Sequence, residues 1–244
     1  MPDEPTPQEQ ATGDAPADET ASEARVAAAA QSPALVRYAR HSTGLEFDRV
    51  AYFSDAVFAI AMTLLVVGIG IPKVAESDLL EALRGLQPEV TSFFISFVVI
   101  GNYWLAHHRF VSHLAATTPR LMTINLVYLA AIAFTPFPTA LAGKYTDQAA
   151  AIVIYAITLS IASSLEAVMF VIAHREGLFR HRLPHDVVRY SVLAALIPVA
   201  LFMASIPIAL VDTTLALASW ILIFPLEIVL DRTLKPDTYD QLLD

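Results

Sequence analysis

The chain has no cysteine among its 244 residues, which excludes disulfides, thiolate metal sites and cysteine nucleophiles. Charge is scarce as well: 16% of residues are charged, where a soluble domain carries about 25%. No His-Glu-x-x-His zinc motif and no Gly-x-Ser-x-Gly elbow is present. The connections between apolar runs are too brief to hide a soluble catalytic domain, so no enzyme is expected. The start of the chain lacks a basic n-region and an apolar h-region, so it does not read as a signal peptide. That start, "MPDEPTPQEQATGDAPADETASEA", also lacks aromatic residues, and its Asp3, Glu4, Glu9, Asp14, Asp18, Glu19 and Glu23 face only Arg25. It cannot bury enough apolar surface to fold, and residues 1–34 are expected to form a disordered acidic tail. Most of the net charge of −9 lies there, and no nucleic-acid partner is expected.

What the chain does have is apolar length. Hydrophobic residues make up 56% of it, with a mean hydropathy of +0.56. A membrane helix needs about 20 mostly apolar residues, and six segments qualify: 50–71, 89–106, 121–142, 149–173, 188–210 and 213–230. The reading is an all-α integral membrane protein with six transmembrane helices over residues 35–232 and a short tail at 233–244. Arginine and lysine set its orientation. Arg37, Arg40, Arg49, Arg109, Arg120, Arg175, Arg180, Arg182, Arg189, Arg232 and Lys235 fall on one side. Only Lys73, Arg84 and Lys144 fall on the other. The positive-inside rule puts both termini in the cytoplasm of a multi-pass protein of the cell membrane. Tyr103, Trp104, Tyr128 and Trp220 fit either interfacial anchors or bundle-interior aromatics.

The first span opens on polar residues: "RVAYFSDAVFAIAMTLLVVGIGIP", 49–72. A carboxylate there is costly without a partner. Arg49 lies six residues before Asp55, about 240° around the helix, so the two do not face each other. The partner must come from another helix. His107 and His108, ending the second span, and Asn125, opening the third, sit at a similar depth. Together with Asp55 they are expected to close a hydrogen-bonded network, which either fixes helix register alone or sets the first helix to gate something. Zinc at the two histidines is poorly supported, since adjacent helical residues point about 100° apart. Beyond Asp55, Ile60, Thr63, Leu64, Val67 and Ile71 form a stripe at helical spacing, ordinarily a packing face. Ala56, Ala59 and Ala61 on the other side are small enough for close helix packing.

The pattern Arg49, Phe53, Ser54, Asp55, followed by "AVFAIAMTLL", resembles the signature of the endosomal and lysosomal potassium channel family known as transmembrane protein 175. "YWLAHHRF" and "NLVYLAAIAFTPFPT" extend the resemblance, which covers residues 45 to 230 and omits the acidic tail. It implies a homotetramer in the bilayer, with the first helix of each subunit lining a central pore that passes potassium ions passively. Eukaryotic relatives carry two such units; this chain has one. Ile60 matches the family's hydrophobic constriction, Leu64 and Val67 the successive pore-lining turns, and Thr63 the threonine layer linked to selectivity. Arg49, Ser54 and Asp55 match residues that support the pore helix. No cofactor is implied; potassium is the permeant ion. A ring of Ile60 side chains would gate by dewetting. There is no "TVGYG" carbonyl filter and no arginine ladder in the fourth span, so weaker selectivity than in common potassium channels and little voltage dependence are expected. Proton leak through the same pore stays open.

The alternative is a proton- or cation-coupled secondary transporter using the intramembrane carboxylates Asp55, Glu166 or Glu227. Against it stands the lack of an inverted repeat or paired interrupted helices. Glu166 and Glu227 otherwise read as hydrogen-bonded carboxylates near one end of their helices. Pro136 and Pro138 are expected to kink or end the third helix, and Pro198, Pro207 and Pro225 to break others. The loop "HREGLFRHRLPH", 174–185, reads as a contact for anionic headgroups, with metal binding or pH sensing the lesser alternative.

Overall fold

The fold is described here from a computed structural model, for residues 33–236 and 239. The acidic stretch 1–32, expected to be disordered, and the end of the C-terminal tail lie outside the described residues. Helix α1 spans Pro33–Leu64. Its residues up to Glu46 belong to one unit of the chain, and residues from Phe47 onward form a second, compact unit. The second unit continues with α2 (Leu79–Gly85), α3 (Gln87–Ser112), α4 (Pro119–Phe134), α5 (Pro136–Lys144) and α6 (Ala149–Arg175). It ends with α7 (His185–Ala209), α8 (Thr213–Ser219) and α9 (Ile223–Leu234). Six helical segments in it are long and apolar enough to cross a membrane: 47–68, 87–112, 119–144, 149–175, 185–209 and 213–234. The protein is an all-α, multi-pass membrane protein.

The element ends have local causes. Thr118 caps α4 by accepting from the Leu121 amide at 3.3 Å, with Pro119 in the first turn. Asp212 caps α8 by accepting from the Leu215 amide at 2.9 Å. Both place a side-chain oxygen where the first backbone N–H groups lack partners. The third span breaks at Thr135 between α4 and α5, where Pro136 and Pro138 cannot donate to the helical ladder. The sixth span also breaks, through a tight 3-10 turn at Trp220–Leu222 just before Pro225. The expected breaks at Pro198 and Pro207 do not occur: α7 runs through both, its apolar neighbours tolerating the missing N–H groups.

The first span ends differently from the expected 50–71. Its α-helix stops at Leu64, tightens into a 3-10 turn over Leu65–Gly68 and then becomes irregular. Gly68, Gly70 and Pro72 explain this, since glycine weakens a helix and the residue before proline is pushed out of the helical region. Ile71 therefore lies beyond the helix and off the stripe, and Val67 sits in the 3-10 turn.

In a bilayer the helices gain little by hiding apolar surface from lipid, so packing and interhelical hydrogen bonds hold them together. Phe58, Ile100, Tyr128, Ile132, Leu159 and Met169 fill the interior. Ser96 hydrogen-bonds Tyr155 at 2.6 Å and accepts from Thr139 at 2.9 Å, tying α3, α5 and α6. Tyr103 donates to the Leu159 carbonyl at 3.0 Å and meets Ser163 Oγ at 2.7 Å. Trp220 donates to Ser205 Oγ at 2.9 Å. Tyr103, Tyr128 and Trp220 thus lie inside the bundle. Small residues set the closest approaches. A Cβ on Gly143 would stand 2.9 Å from the Glu89 Cα, and one on Gly68 would stand 3.0 Å from the Ala140 Cβ. Replacing Gly143 by alanine forces α3 and α5 apart at a backbone contact that cannot give. Gly143→Ala should destabilise the protein by about 1–3 kcal/mol, read as a lower midpoint of thermal unfolding in detergent.

Candidate functional site

The polar head of the first span resolves into two separate sets of hydrogen bonds. In the first, Ser54 Oγ donates to the Val50 carbonyl at 2.9 Å. Asn125 Nδ2 from α4 donates to Ser54 Oγ at 3.1 Å. His107 Nε2 from α3 meets Asn125 Oδ1 at 2.8 Å. The proton directions follow from the far end. The Val50 carbonyl only accepts, so Ser54 spends its hydrogen there and accepts from the amide nitrogen. The amide oxygen then accepts, and His107 must donate from Nε2. His107 is 2% exposed. Its ring stacks on Tyr128 (centroids 5.5 Å, 7° between planes) and packs at 5.5 Å against Phe58.

In the second set, Asp55 Oδ1 accepts from Trp104 Nε1 at 2.8 Å, and the Trp104 ring lies 5.4 Å from that of His108. The single network expected among Asp55, His107, His108 and Asn125 is therefore replaced. Asp55 belongs with Trp104, and His108 is exposed on the far side of that indole. Ser54 and Asp55 are neighbours pointing about 100° apart, so they reach different helices. Trp104 is the functional residue that sequence reasoning missed. The available signal was a donor-only side chain one turn before the histidine pair.

The rest of the motif lies elsewhere. Buried positions on the first span are Ser54, Phe58, Ala61 and Leu65, one stripe at helical spacing. Arg49, Phe53, Ala56, Ala59, Ile60, Thr63, Leu64 and Val67 are exposed. Ile60 is 57% and Val67 74% exposed. Of the three alanines expected to pack closely, only Ala61 is buried within the chain. Arg49 makes no ion pair among the described residues, in line with its register away from Asp55. Thr63 donates its hydroxyl hydrogen to the Ile60 carbonyl at 2.8 Å, which leaves the oxygen lone pairs turned outward.

Glu166 and Glu227 are half-buried, and Arg109 lies within electrostatic reach of both. The described residues contain no group of three or more His, Asp or Glu placed to hold a metal ion. The loop 174–185 is pinned to the 113–120 segment. The Ala115 amide donates to the Leu178 carbonyl at 2.8 Å, and the Arg180 amide to the His113 carbonyl at 3.0 Å. Arg120 also pairs with Glu176 at 3.6 Å.

A six-span helical protein with a buried polar head on its first helix, and an apolar face of that helix left uncovered, belongs to the class of membrane transport proteins. Residues 49–136 match the model of the family described as endosomal/lysosomal potassium channel TMEM175. A potassium channel of Streptomyces collinus is 31% identical over 180 residues, covering 71% of this chain and 87% of that one. A potassium channel of Chamaesiphon minutus is 42% identical over 103 residues, covering 41% of this chain and 51% of that one. The crystal structure of a lysosomal potassium-selective channel TMEM175 homolog from Chamaesiphon minutus superposes with a TM-score of 0.65 at 27% identity. It covers 78% of this chain and 99% of its own. The chain belongs to the TMEM175 family.

The hydrogen-bond sets make unequal demands on their members. Asn125→Leu strands the buried His107 N–H and should lower stability by about 1–3 kcal/mol. Ser54→Ala removes one neutral bond and should cost about 1 kcal/mol. Thermal unfolding of both variants, each with His107→Phe added, gives the coupling: a large Asn125–His107 term beside a small Ser54–His107 term.

Proposed function

We propose that the chain is one subunit of a potassium-permeable channel, a homotetramer in the cell membrane with both termini in the cytoplasm. The observation that carries this reading is the uncovered face of the first span. Ile60, Thr63, Leu64 and Val67 stand outward on the helix that the Ser54 and Asp55 bonds hold most firmly. A helix fixed by polar contacts on one side and bare on the other is suited to lining an axis shared with other copies. The resemblance to potassium channels supplies the number of copies and the ion.

In this assembly Ile60 forms the constriction. Four branched apolar side chains around an axis exclude a continuous water column, and permeation requires wetting that ring. Thr63 lies less than one turn further along. Its hydrogen is committed to the Ile60 carbonyl, so its oxygen faces the axis as an acceptor and can replace part of a cation's hydration shell. Potassium gives up water more easily than sodium, which makes a narrow apolar passage favour it modestly. Arg49 and Phe53 continue the same face toward the cytoplasmic mouth. Asp55 is held by Trp104 off the axis, as a support and not an ion ligand. The chemistry involves no bond-making step and no cofactor, and no enzymatic role is assigned.

The test is cation flux through purified protein in liposomes, with potassium, sodium and protons measured separately. Ile60→Asn should raise passive potassium flux at least several-fold, because a polar ring wets where an apolar one does not. Thr63→Val should leave flux present and narrow the potassium preference. Flux that saturates and follows a proton gradient would instead support a carrier built on Glu166 or Glu227. No flux in wild type and Ile60→Asn alike would sink the pore.

A further inference from the structure

A crevice of about 390 Å³ lies between α4 and α6, away from the pore face. Val127, Ala131 and Phe134 line one side of it, and Ile154, Ile157 and Ile161 the other. Its one polar lining residue, Thr158, spends its hydroxyl hydrogen on the Ile154 carbonyl at 2.8 Å. The crevice therefore offers its occupant no hydrogen bond to make. We propose that it seats one acyl chain of an anionic phospholipid whose phosphate is held by Arg120 and Arg175. The proposal needs the membrane-spanning placement of α4 and α6, and it does not depend on permeation through a pore.

Register places the two arginines at one end of this groove. Arg120, Val127 and Ala131 follow one stripe of α4, and Ile154, Ile161, Val168 and Arg175 one stripe of α6. Val168 and Ile161 are exposed, so the α6 stripe stays uncovered between crevice and arginine. Val127 lies about 10 Å and Phe134 about 21 Å along the axis from Arg120, at 1.5 Å per residue. Half the hydrocarbon core is about 15 Å. A chain whose headgroup sits at Arg120 thus runs down its leaflet into the crevice.

The charges suit a phosphate. The Arg120 side chain is 70% exposed although paired with Glu176, and a guanidinium has five N–H donors, most of them left over by that contact. Arg175 is exposed. Basic groups between membrane helices at the cytoplasmic edge are suited to anionic headgroups. The shape suits a chain better than a helix. Helix–helix contacts in membranes favour small residues that let backbones approach, whereas Ala131 is the one small side chain among large branched and aromatic walls.

Native mass spectrometry of the full-length protein tests this, after equilibration in detergent with equal amounts of palmitoyl-oleoyl phosphatidylglycerol and phosphatidylcholine. Wild type should retain phosphatidylglycerol in preference. R120Q combined with R175Q should lower that retention about 30-fold, bringing it level with phosphatidylcholine. A131W fills the crevice and should reduce retention of both lipids; V127F does so more mildly and serves if A131W folds poorly. Equal retention of the two lipids by wild type overturns the proposal, as does unchanged retention in A131W or V127F. A crevice variant that alters subunit stoichiometry while leaving lipid retention intact would assign the groove to a second copy of the chain, and also overturns it.

Discussion

The rotation of the first span about its own axis is the constraint on which the rest depends, and two sets of polar contacts fix it. In a bilayer both faces of that helix are apolar, and lipid is as good a solvent for isoleucine as another helix is. Apolar packing alone therefore discriminates weakly between rotations. A buried hydrogen-bonding group discriminates strongly, because leaving it unpaired has a large free-energy cost. Ser54 reaches Asn125, and through it His107, on one side; Asp55 reaches Trp104 on another. A slip of one residue turns the helix by about 100° and loses both at once. With them in place, Phe58, Ala61 and Leu65 turn inward and Ile60, Thr63 and Val67 outward.

The same logic reaches the other end of the span. Once Gly68 closes to within a methyl contact of Ala140, the 3-10 turn is held against α5. That helix is in turn pressed on α3 through Gly143. The break at Thr135 lets the third span do two jobs: α4 carries Asn125 to the polar head, and α5 supplies the small surfaces at the far end. Thr135 and Thr139 satisfy the backbone around the break, Thr135 donating to the Ala131 carbonyl at 3.0 Å and Thr139 to the Thr135 carbonyl at 2.9 Å. Proline in the middle of α7 has no such consequence, because nothing there needs to bend.

Fold class was legible because span length and apolarity are one-dimensional properties, and six apolar runs read the same in the sequence and in the structure. The need for a partner to Asp55 was legible too, as was its absence on the same helix. The partner itself was not. Depth along the membrane brought His107, His108 and Asn125 together on paper, but depth says nothing about azimuth, and His108 faces away behind Trp104. The end of the first span was misread for a related reason. Hydropathy continues through "GIGIP", while backbone preference does not, and hydropathy alone cannot see a helix stop. Thr63 carried the opposite lesson: its type was visible, but the hydrogen bond that leaves only its lone pairs outward required the coordinates.

The first helix divides its labour by face, and this limits what one chain can encode. Its inward residues are satisfied within the subunit: every hydrogen bond of Ser54 and Asp55 noted above is made to α1, α3 or α4 of the same chain. Its outward residues have no such closure, and Ile60 is more than half bare. In the proposed channel those residues acquire meaning only around a shared axis, where a side chain that merely touches lipid in one copy becomes a barrier in four. Support and permeation are then separable in a way a carrier's coupling site is not. The carboxylate that looks functional holds the helix, and the unremarkable isoleucine five residues later does the gating.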